Sequence, residues 1–185
     1  MQPIIDKDFI ELSRQELIQL VKDAKTHYYY YKKEGVNVAY GRENNNSNGV
    51  FDLEMVACKI LTEYGHEVYL LPENYAADVN KSKKIHGDTI TDDRTLELKH
   101  TAKNVQDNYR KAKHQATDVF IHIQNDISEK NALRQINSSI KAISKNNIAQ
   151  IDFAGKVYLY FEKKDTLLLF LYDSNGKYEQ ISPKK

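Results

Sequence analysis

The chain has 185 residues, 41% of them hydrophobic and 29% charged, with a formal net charge of +1. This size suits a single domain with its own core, and the charge excludes a strongly basic protein overall. The lone Cys58, set in an apolar helical pattern, excludes an internal disulfide and a cysteine-based zinc cluster. No apolar run approaches the roughly 20 residues that span a bilayer. No signal-peptide pattern opens the chain, so we expect a cytoplasmic protein without a membrane partner, with delivery to another cell left open.

The first 49 residues are predicted to hold a helix, a strand and a loop. Ser13 and Glu16 form a capping-box pattern ahead of apolar residues at helical spacing, which predicts a helix over about 13–25. The tyrosine run 28–31 favours a strand, with a stacking platform for bases as the other interpretation. The polar run 42–49 predicts a loop.

From position 50 onward, hydrophobic periodicity predicts alternating helices and strands. In chain order these are a helix over 50–64, strands over 66–71, 87–90 and 95–99, a helix over 104–115 and a strand over 119–123. Gly65 is placed to end the first of these helices in a left-handed conformation. Asp92 and Asp93 are predicted to form the turn between the second and third strands.

The C-terminal third is predicted to add a helix and a hairpin. The helix starts at about 128 and buries a stripe at Leu133, Ile136, Ile140 and Ile143. Strands over 157–161 and 166–172 form the hairpin through 162–165, and the polar tail after Ser174 is expected to fray. We therefore predict one α/β (α+β) domain over 1–185, with a mixed sheet flanked by helices. Its core is 50–123, its N-terminal extension 1–49 and its C-terminal helix and hairpin 124–174.

Asp88, Glu97 and Lys99 are the candidate chemical centre. Residues two apart on a strand share a face, so Glu97 and Lys99 project together, and Asp88 on the adjacent strand can bring a second carboxylate. Converging carboxylates favour a cation, and oxygen ligands suit Mg²⁺ or Mn²⁺ better than zinc. A lysine there can orient a water or offset phosphate charge. The pattern predicts phosphodiester hydrolysis, and the other interpretation is an ordinary ion pair on a solvated strand.

Together with the order of elements, these residues resemble the PD-(D/E)XK, or restriction-endonuclease-like, nuclease superfamily. That superfamily has an αβββαβ core, with an aspartate on the second strand and Glu-X-Lys on the third, as in Asp88 and Glu97-Leu98-Lys99. Segments 64–73, 88–99 and 113–121 are also similar to C-terminal nuclease domains of bacterial contact-dependent and polymorphic toxins. Gly87 stands where the family often has proline, and Asp78 competes with Asp88 for the aspartate role.

The resemblance implies a metal-dependent endonuclease acting on DNA or RNA, including tRNA, in a bacterial toxin or a mobile element. It implies that Asp88 and Glu97 bind Mg²⁺ or Mn²⁺ and that the Leu98 carbonyl completes the site. Lys99 would position the attacking water. Glu54, on the first core helix, would bind a second metal or hold the first through water, unless it is an exposed helix residue at the edge of the apolar stripe. A toxin of this kind would also need a cognate immunity protein.

Basic and polar residues on both sides of the centre are candidate contacts to the nucleic acid, although a solvated basic face would have the same composition. These candidates are Lys84, His86, His100, Lys103, Arg110, Lys111, Lys113 and Gln115, with Lys81 and Lys83 in the same loop as Lys84. For Gln115 a helix-capping role is the alternative, and His114 and His122 are interpreted as structural.

Two further functions remain open at this point. One is a metal-independent RNase toxin that uses His86, His100 or His114 as acid and base. The other is a catalytically inactive module that binds nucleic acid or protein on the same fold. Cleavage that survives EDTA would favour the first, and absence of Mg²⁺ binding would favour the second.

Overall fold

A computed structural model describes residues 10–12, 28–39, 41–45, 47–71, 89–91, 94–145 and 155–181. The chain divides into two compact units, Met1–Thr95 and Leu96–Lys185. Each unit combines α-helix with a mixed sheet, which confirms the predicted α+β class. The predicted helix over 13–25 and the turn at Asp92 and Asp93 lie outside the described residues. None of the helices in the described ranges has the length and apolar character needed to cross a membrane.

The described part of the first unit contains five strands and one α-helix. The strands are β1 (Ile10–Leu12), β2 (Tyr28–Lys33), β3 (Val36–Ala39), β4 (Val68–Leu70) and β5 (Thr89–Thr91). The pairs β1–β2, β2–β3 and β4–β5 are antiparallel, whereas β3–β4 is parallel. The tyrosine strand is therefore confirmed, and β4 is shorter than the predicted 66–71.

Strand β3 was not predicted. It forms a hairpin with β2 through Glu34 and Gly35, whose φ angles are 51° and 86°. Positive φ at both central residues is the geometry that matches the twist of a two-residue hairpin. Glu-Gly is a weaker hairpin signal than Asn-Gly or Asp-Gly, so the turn was not recognised.

Helix α1 (Val50–Glu63) follows two short 3₁₀ helices, Arg42–Asn45 and Ser47–Gly49, in the segment predicted to be a loop. Ala57, Ile60 and Leu61 of its predicted apolar stripe are buried, as is Cys58 at 0% exposure, whereas Val56, which was predicted on the same stripe, is 41% exposed. Gly65 ends the helix with φ 84°, and its N–H donates to the Thr62 carbonyl at 2.9 Å. This left-handed end confirms the role predicted for the glycine.

The second unit contains the remaining strands, with two further helices in its described part. The elements are β6 (Arg94–Thr101), which starts at the end of the first unit, α2 (Val105–Lys113), β7 (Asp118–Ile123), α3 (Glu129–Lys145), β8 (Lys156–Phe161), β9 (Thr166–Tyr172) and β10 (Tyr178–Ile181). Strands β6, β7 and β8 are parallel neighbours, and β9 and β10 continue the sheet antiparallel. The predicted helices and the 157–172 hairpin are confirmed.

The core of the second unit lies between the sheet and helices α2 and α3. Alternate residues of β7 and β8 share one face because strand side chains have a period of two. This cluster includes Val119, Ile121, Val157, Leu159, Tyr109, Ile136 and Ile140, all 0–5% exposed. The helices cover this face of the sheet and so hold the parallel strands that carry the candidate site.

The prediction that the tail after Ser174 frays is wrong, because β10 pairs with β9 there. Asp173 closes the turn by accepting hydrogen bonds from the backbone N–H groups of Asn175 and Lys177, at 2.9 and 2.8 Å. Tyr178 is 3% exposed, and its hydroxyl lies 2.9 Å from that of Tyr109. The other residues of β10 are exposed. The strand was therefore not recognised, because Tyr178 is the single buried residue in an otherwise polar segment.

Candidate functional site

Strand β6 carries Glu97 and Lys99 on one face, as their spacing predicted. Glu97 is 2% exposed, and the Lys99 ammonium forms an ion pair with its Oε1 atom. The Lys99 side chain keeps 21% of its surface exposed. The parallel register places Glu97 beside Val119 and Lys99 beside Ile121 on β7. The pair therefore combines a buried carboxylate with a cation that solvent still reaches.

The burial of Glu97 makes its charge depend on a nearby cation. A buried carboxylate is costly unless it is paired and hydrogen-bonded, so a cation beside Glu97 stabilises its charged form in the folded state. Lys99 supplies that cation from two residues along the same strand. A divalent metal ion would satisfy the same requirement, because carboxylate oxygens are ligands that Mg²⁺ and Mn²⁺ accept.

The other members of the predicted centre are described only in part. Leu98 is 4% exposed, and as the residue between Glu97 and Lys99 it directs its side chain to the opposite face of β6. Asp88, its competitor Asp78, and the loop residues Lys84 and His86 lie outside the described residues. Among the residues that the structure does describe, no three His, Cys, Asp or Glu side chains are grouped to hold a metal ion.

Glu54 has a cation partner that the sequence did not predict. It is 5% exposed on α1, and its two carboxylate oxygens accept from Arg42 Nη2 at 2.7 and 2.8 Å. The exposed fractions of the two side chains are 9% for Arg42 and 7% for Glu54. The ion pair ties the 3₁₀ segment to the helix, and we assign Glu54 this structural role.

Replacing Arg42 with Ala would leave a buried carboxylate without this cation. We expect the free energy of unfolding to fall by about 3–5 kcal/mol, the usual cost of removing one partner from a buried pair. Denaturant unfolding measures the change. The matched control is Lys33→Ala, which breaks the exposed pair between Lys33 and Glu43 and should cost about 1 kcal/mol or less. Equal losses in the two variants would contradict the structural role of Arg42.

A second polar group lies on the opposite face of the same strands. The register places His100 of β6 beside His122 of β7, and His122 beside Tyr160 of β8. The two histidine Nδ1 atoms are 3.2 Å apart. His122 is 3% exposed, and its Nε2 lies 2.7 Å from a carboxylate oxygen of Glu162. His100, expected at the nucleic acid, is thus part of a carboxylate–imidazole–imidazole chain.

Burial lowers the pKa of His100 from 6.5 to about 4, with smaller contributions from the neighbouring His122 and Lys99. His100 is therefore neutral near pH 7. The unfolded chain takes up a proton at this histidine below about pH 6.5, whereas the folded chain does so only near pH 4. The stability of the folded state must therefore fall as the pH is lowered between these values.

We expect this histidine to cost about 1–2 kcal/mol of stability between pH 7 and pH 4, after reduction for its partial exposure. Unfolding curves of the metal-free protein across this range measure the slope. His100→Asn is the control, since it retains a polar group and removes the titration. A variant whose stability falls with pH as steeply as that of the parent would show that His100 is not responsible.

The cationic residues after β6 do not share one environment. Lys103, Arg110 and Lys111 are exposed, and Arg110 also lies 3.5 Å from Asp107. Lys113 is only 5% exposed, and its ammonium donates to the Thr117 carbonyl at 2.6 Å. In this position Lys113 supports the turn after α2, so it differs from the exposed phosphate contact that we expected.

Gln115 also lies in that turn. It is half-buried, and its backbone N–H donates to the Ala112 carbonyl at 2.8 Å. His114, the last residue of the basic stretch, is exposed.

Comparison of the chain with protein-family models, curated proteins and solved structures gives no match. Function is therefore inferred from residue chemistry and geometry.

Proposed function

We propose that the protein is a metal-dependent nuclease that hydrolyses phosphodiester bonds in DNA or RNA, with Glu97 and Lys99 at its chemical centre. The observation that carries the proposal is the buried Glu97 carboxylate with the partly exposed Lys99 ammonium beside it on β6. Within the described ranges, the elements α1, β4, β5, β6, α2 and β7 follow one another in the order that the αβββαβ resemblance implies, which supports the proposal.

In this proposal the oxygen donors of Glu97 and of the Leu98 carbonyl hold Mg²⁺ or Mn²⁺, and Asp88 is the second carboxylate ligand predicted from the sequence. The bound metal would lower the pKa of a water and polarise the phosphoryl oxygen. Lys99 then has two tasks. It neutralises Glu97 in the metal-free protein, and it orients the attacking water or offsets phosphate charge when substrate is bound.

The charge of the second unit supports an anionic substrate. Leu96–Lys185 contains 15 Lys and Arg against 10 Asp and Glu, a net charge of +5. Met1–Thr95 contains 12 against 16, a net charge of −4. The near-neutral total therefore conceals a basic unit, and phosphate contacts are made by such charges. We assign backbone contacts to the exposed Lys103, Arg110 and Lys111, and retain Lys84 and His86 as sequence predictions.

We further propose that the nuclease acts in a cytoplasm, as a bacterial toxin or a mobile-element enzyme. A toxin would require an immunity protein as its partner. The toxin, mobile-element and immunity-protein parts of the proposal rest on the sequence resemblance alone. They are tested by whether expression of the parent protein, compared with Glu97→Gln, arrests bacterial growth.

The experiment that tests the enzymatic proposal is a cleavage assay on plasmid DNA, single-stranded DNA and total tRNA, each with Mg²⁺, Mn²⁺ or EDTA. Cleavage that requires the metal supports the proposal and identifies the substrate class. Cleavage that survives EDTA and is confined to RNA would instead support the histidine-based RNase. No cleavage of any substrate, together with no Mg²⁺ binding by calorimetry, would favour a binding protein.

A further inference from the structure

We propose that His100 and His122 form a binding site for a transition-metal ion such as Zn²⁺, Ni²⁺ or Cu²⁺, in addition to the proposed centre at Glu97. The two sites differ in the residues that form them and in ligand chemistry. His100 lies on the opposite face of β6 from Glu97 and Lys99, because side chains alternate along a strand. The inference stands on the imidazole pair and does not require the nuclease activity.

The location is one where sheets commonly bind ligands. His100 and His122 lie near the carboxyl ends of the parallel strands β6 and β7, and the register pairs them directly. Ligand sites in open α/β sheets gather beyond the carboxyl ends of parallel strands. The third parallel strand, β8, ends at Phe161 and leads straight into Glu162, the carboxylate partner of His122.

The separation of the two imidazoles fits shared coordination. Their Nδ1 atoms are 3.2 Å apart, and the ring planes are inclined by 73°. Two nitrogen ligands at the usual metal distance of about 2.0–2.1 Å, with a tetrahedral angle between them, would lie roughly 3.3 Å apart. The separation of the two nitrogens therefore matches that of two imidazoles on one metal ion, to which both rings would turn their lone pairs.

Glu162 fixes the tautomer that such a site requires. A carboxylate can only accept here, so the 2.7 Å contact means that His122 Nε2 carries the proton. The His122 Nδ1 lone pair then faces His100. Metal-binding histidines characteristically donate their second ring N–H to a carboxylate, which orients the ring and raises its basicity. The contact between His122 and Glu162 has this arrangement.

A ring nitrogen of His100 can also become a metal ligand. Without metal, its Nδ1–H donates to the His122 lone pair, and its buried Nε2 has no hydrogen-bond partner within the described part of the chain. On metal binding, the proton would move from Nδ1 to Nε2 of the same ring, so no net proton is released.

The ligand atoms decide which metals bind. Imidazole nitrogen suits Zn²⁺, Ni²⁺ and Cu²⁺, whereas Mg²⁺ prefers oxygen. Across the described ranges the fold supplies no third His, Cys, Asp or Glu ligand in reach, so the remaining coordination positions would be taken by water. We therefore expect one ion per chain, bound with moderate affinity and not displaced by Mg²⁺.

The first test is calorimetric titration of the full chain with Ni²⁺ and with Zn²⁺ in the presence of millimolar Mg²⁺. We expect one site, weakened at least about 10-fold in His100→Asn and in His122→Asn. Glu162→Gln should weaken binding by about 10–100-fold, the usual effect of removing a partner of a ligating histidine. His66→Asn and His114→Asn are matched controls, and both should bind as the parent does.

Cu²⁺ electron paramagnetic resonance on the unmodified protein provides a reading that does not depend on folding of the variants. Hyperfine coupling to two nitrogens supports the site. The metal site would be overturned if the parent did not bind, if His100→Asn bound with the affinity of the parent, or if the two controls were weakened equally. His100 and His122 would then form a hydrogen bond only. Loss of nuclease activity in EDTA restored by Mg²⁺ concerns Glu97 alone, so the two proposals can fail separately.

Discussion

We expect Lys99→Ala to lower the rate of the proposed metal-dependent cleavage by about 10²–10³-fold, the usual effect of removing one group that stabilises transition-state charge. The ammonium lies beside Glu97 and remains 21% exposed, so it is accessible to a phosphate or an attacking water on that face of β6. The measurement is the single-turnover rate at saturating Mg²⁺ on the substrate that the parent cleaves.

Stability needs a separate control here, because Lys99→Ala also removes the cation from a buried carboxylate. Lys99→Arg keeps a positive charge beside Glu97 and is expected to melt near the parent temperature. It should still lose at least about 10-fold in rate, since a planar guanidinium does not replace a compact ammonium. Lys163→Ala, at an exposed position after β8, should cleave normally. Cleavage by folded Lys99→Ala at the parent rate would remove Lys99 from the mechanism.

Gly155→Ala is expected to destabilise the second unit by at least about 3 kcal/mol, the upper range for overpacking a tightly packed site. A Cβ atom at this position would lie 1.8 Å from the Thr117 carbonyl oxygen and 2.8 Å from its carbonyl carbon. These are backbone atoms, so rotation of a side chain cannot relieve the contact. The same carbonyl accepts from Lys113, and the Lys156 N–H donates to Asp118 at 2.9 Å, so movement would break a local network.

Guanidinium unfolding of Gly155→Ala beside Gly65→Ala tests this prediction. Gly65 has a positive φ of 84° and open space where the methyl group of an alanine would lie, so its substitution carries backbone strain without a clash. That strain is worth about 1–2 kcal/mol. If Gly155→Ala were as stable as Gly65→Ala, the close approach of Gly155 to Thr117 would not exist in solution.

The elements that sequence predicted best are those with a long, regular hydrophobic period. Helix α1 has such a period, and strand β7 and the β8–β9 hairpin were predicted equally well because they are nearly continuous apolar runs, whose residues are mostly buried. Strands β3 and β10 were missed because each is only four residues long. In β10 just one of these residues, Tyr178, is buried, so no period can be read from it.

The burial of Lys113 could have been predicted from helical spacing, but its charge led to the prediction of an exposed phosphate contact. Val105, Tyr109 and Ala112 form the buried stripe of α2, and position 113 follows Tyr109 by four residues on the same stripe. Helical spacing thus predicts burial, and the flexible lysine stem allows it while the ammonium reaches the Thr117 carbonyl. Charge alone suggested a solvated contact to phosphate.

For the candidate site, strand alternation sufficed to place Glu97 and Lys99 together. The partners of the other charged groups could not be predicted in this way. Arg42 lies 12 residues from Glu54, and Glu162 lies 40 residues from His122. Such pairs are set by the packing of separate elements, which local patterns do not encode. Asp88, in contrast, remains a sequence prediction for mutational test.

Glu97→Gln tests most directly whether the buried Glu97 carboxylate binds the catalytic metal. The substitution keeps shape and removes only the charge, and Glu63→Gln at an exposed position of α1 is the matched control. We predict that Glu97→Gln lowers Mg²⁺-dependent cleavage at least about 10³-fold and weakens Mn²⁺ binding by calorimetry, with the control unchanged, because a neutral amide replaces the negatively charged ligand. Cleavage at the parent rate by a folded Glu97→Gln protein would contradict the account.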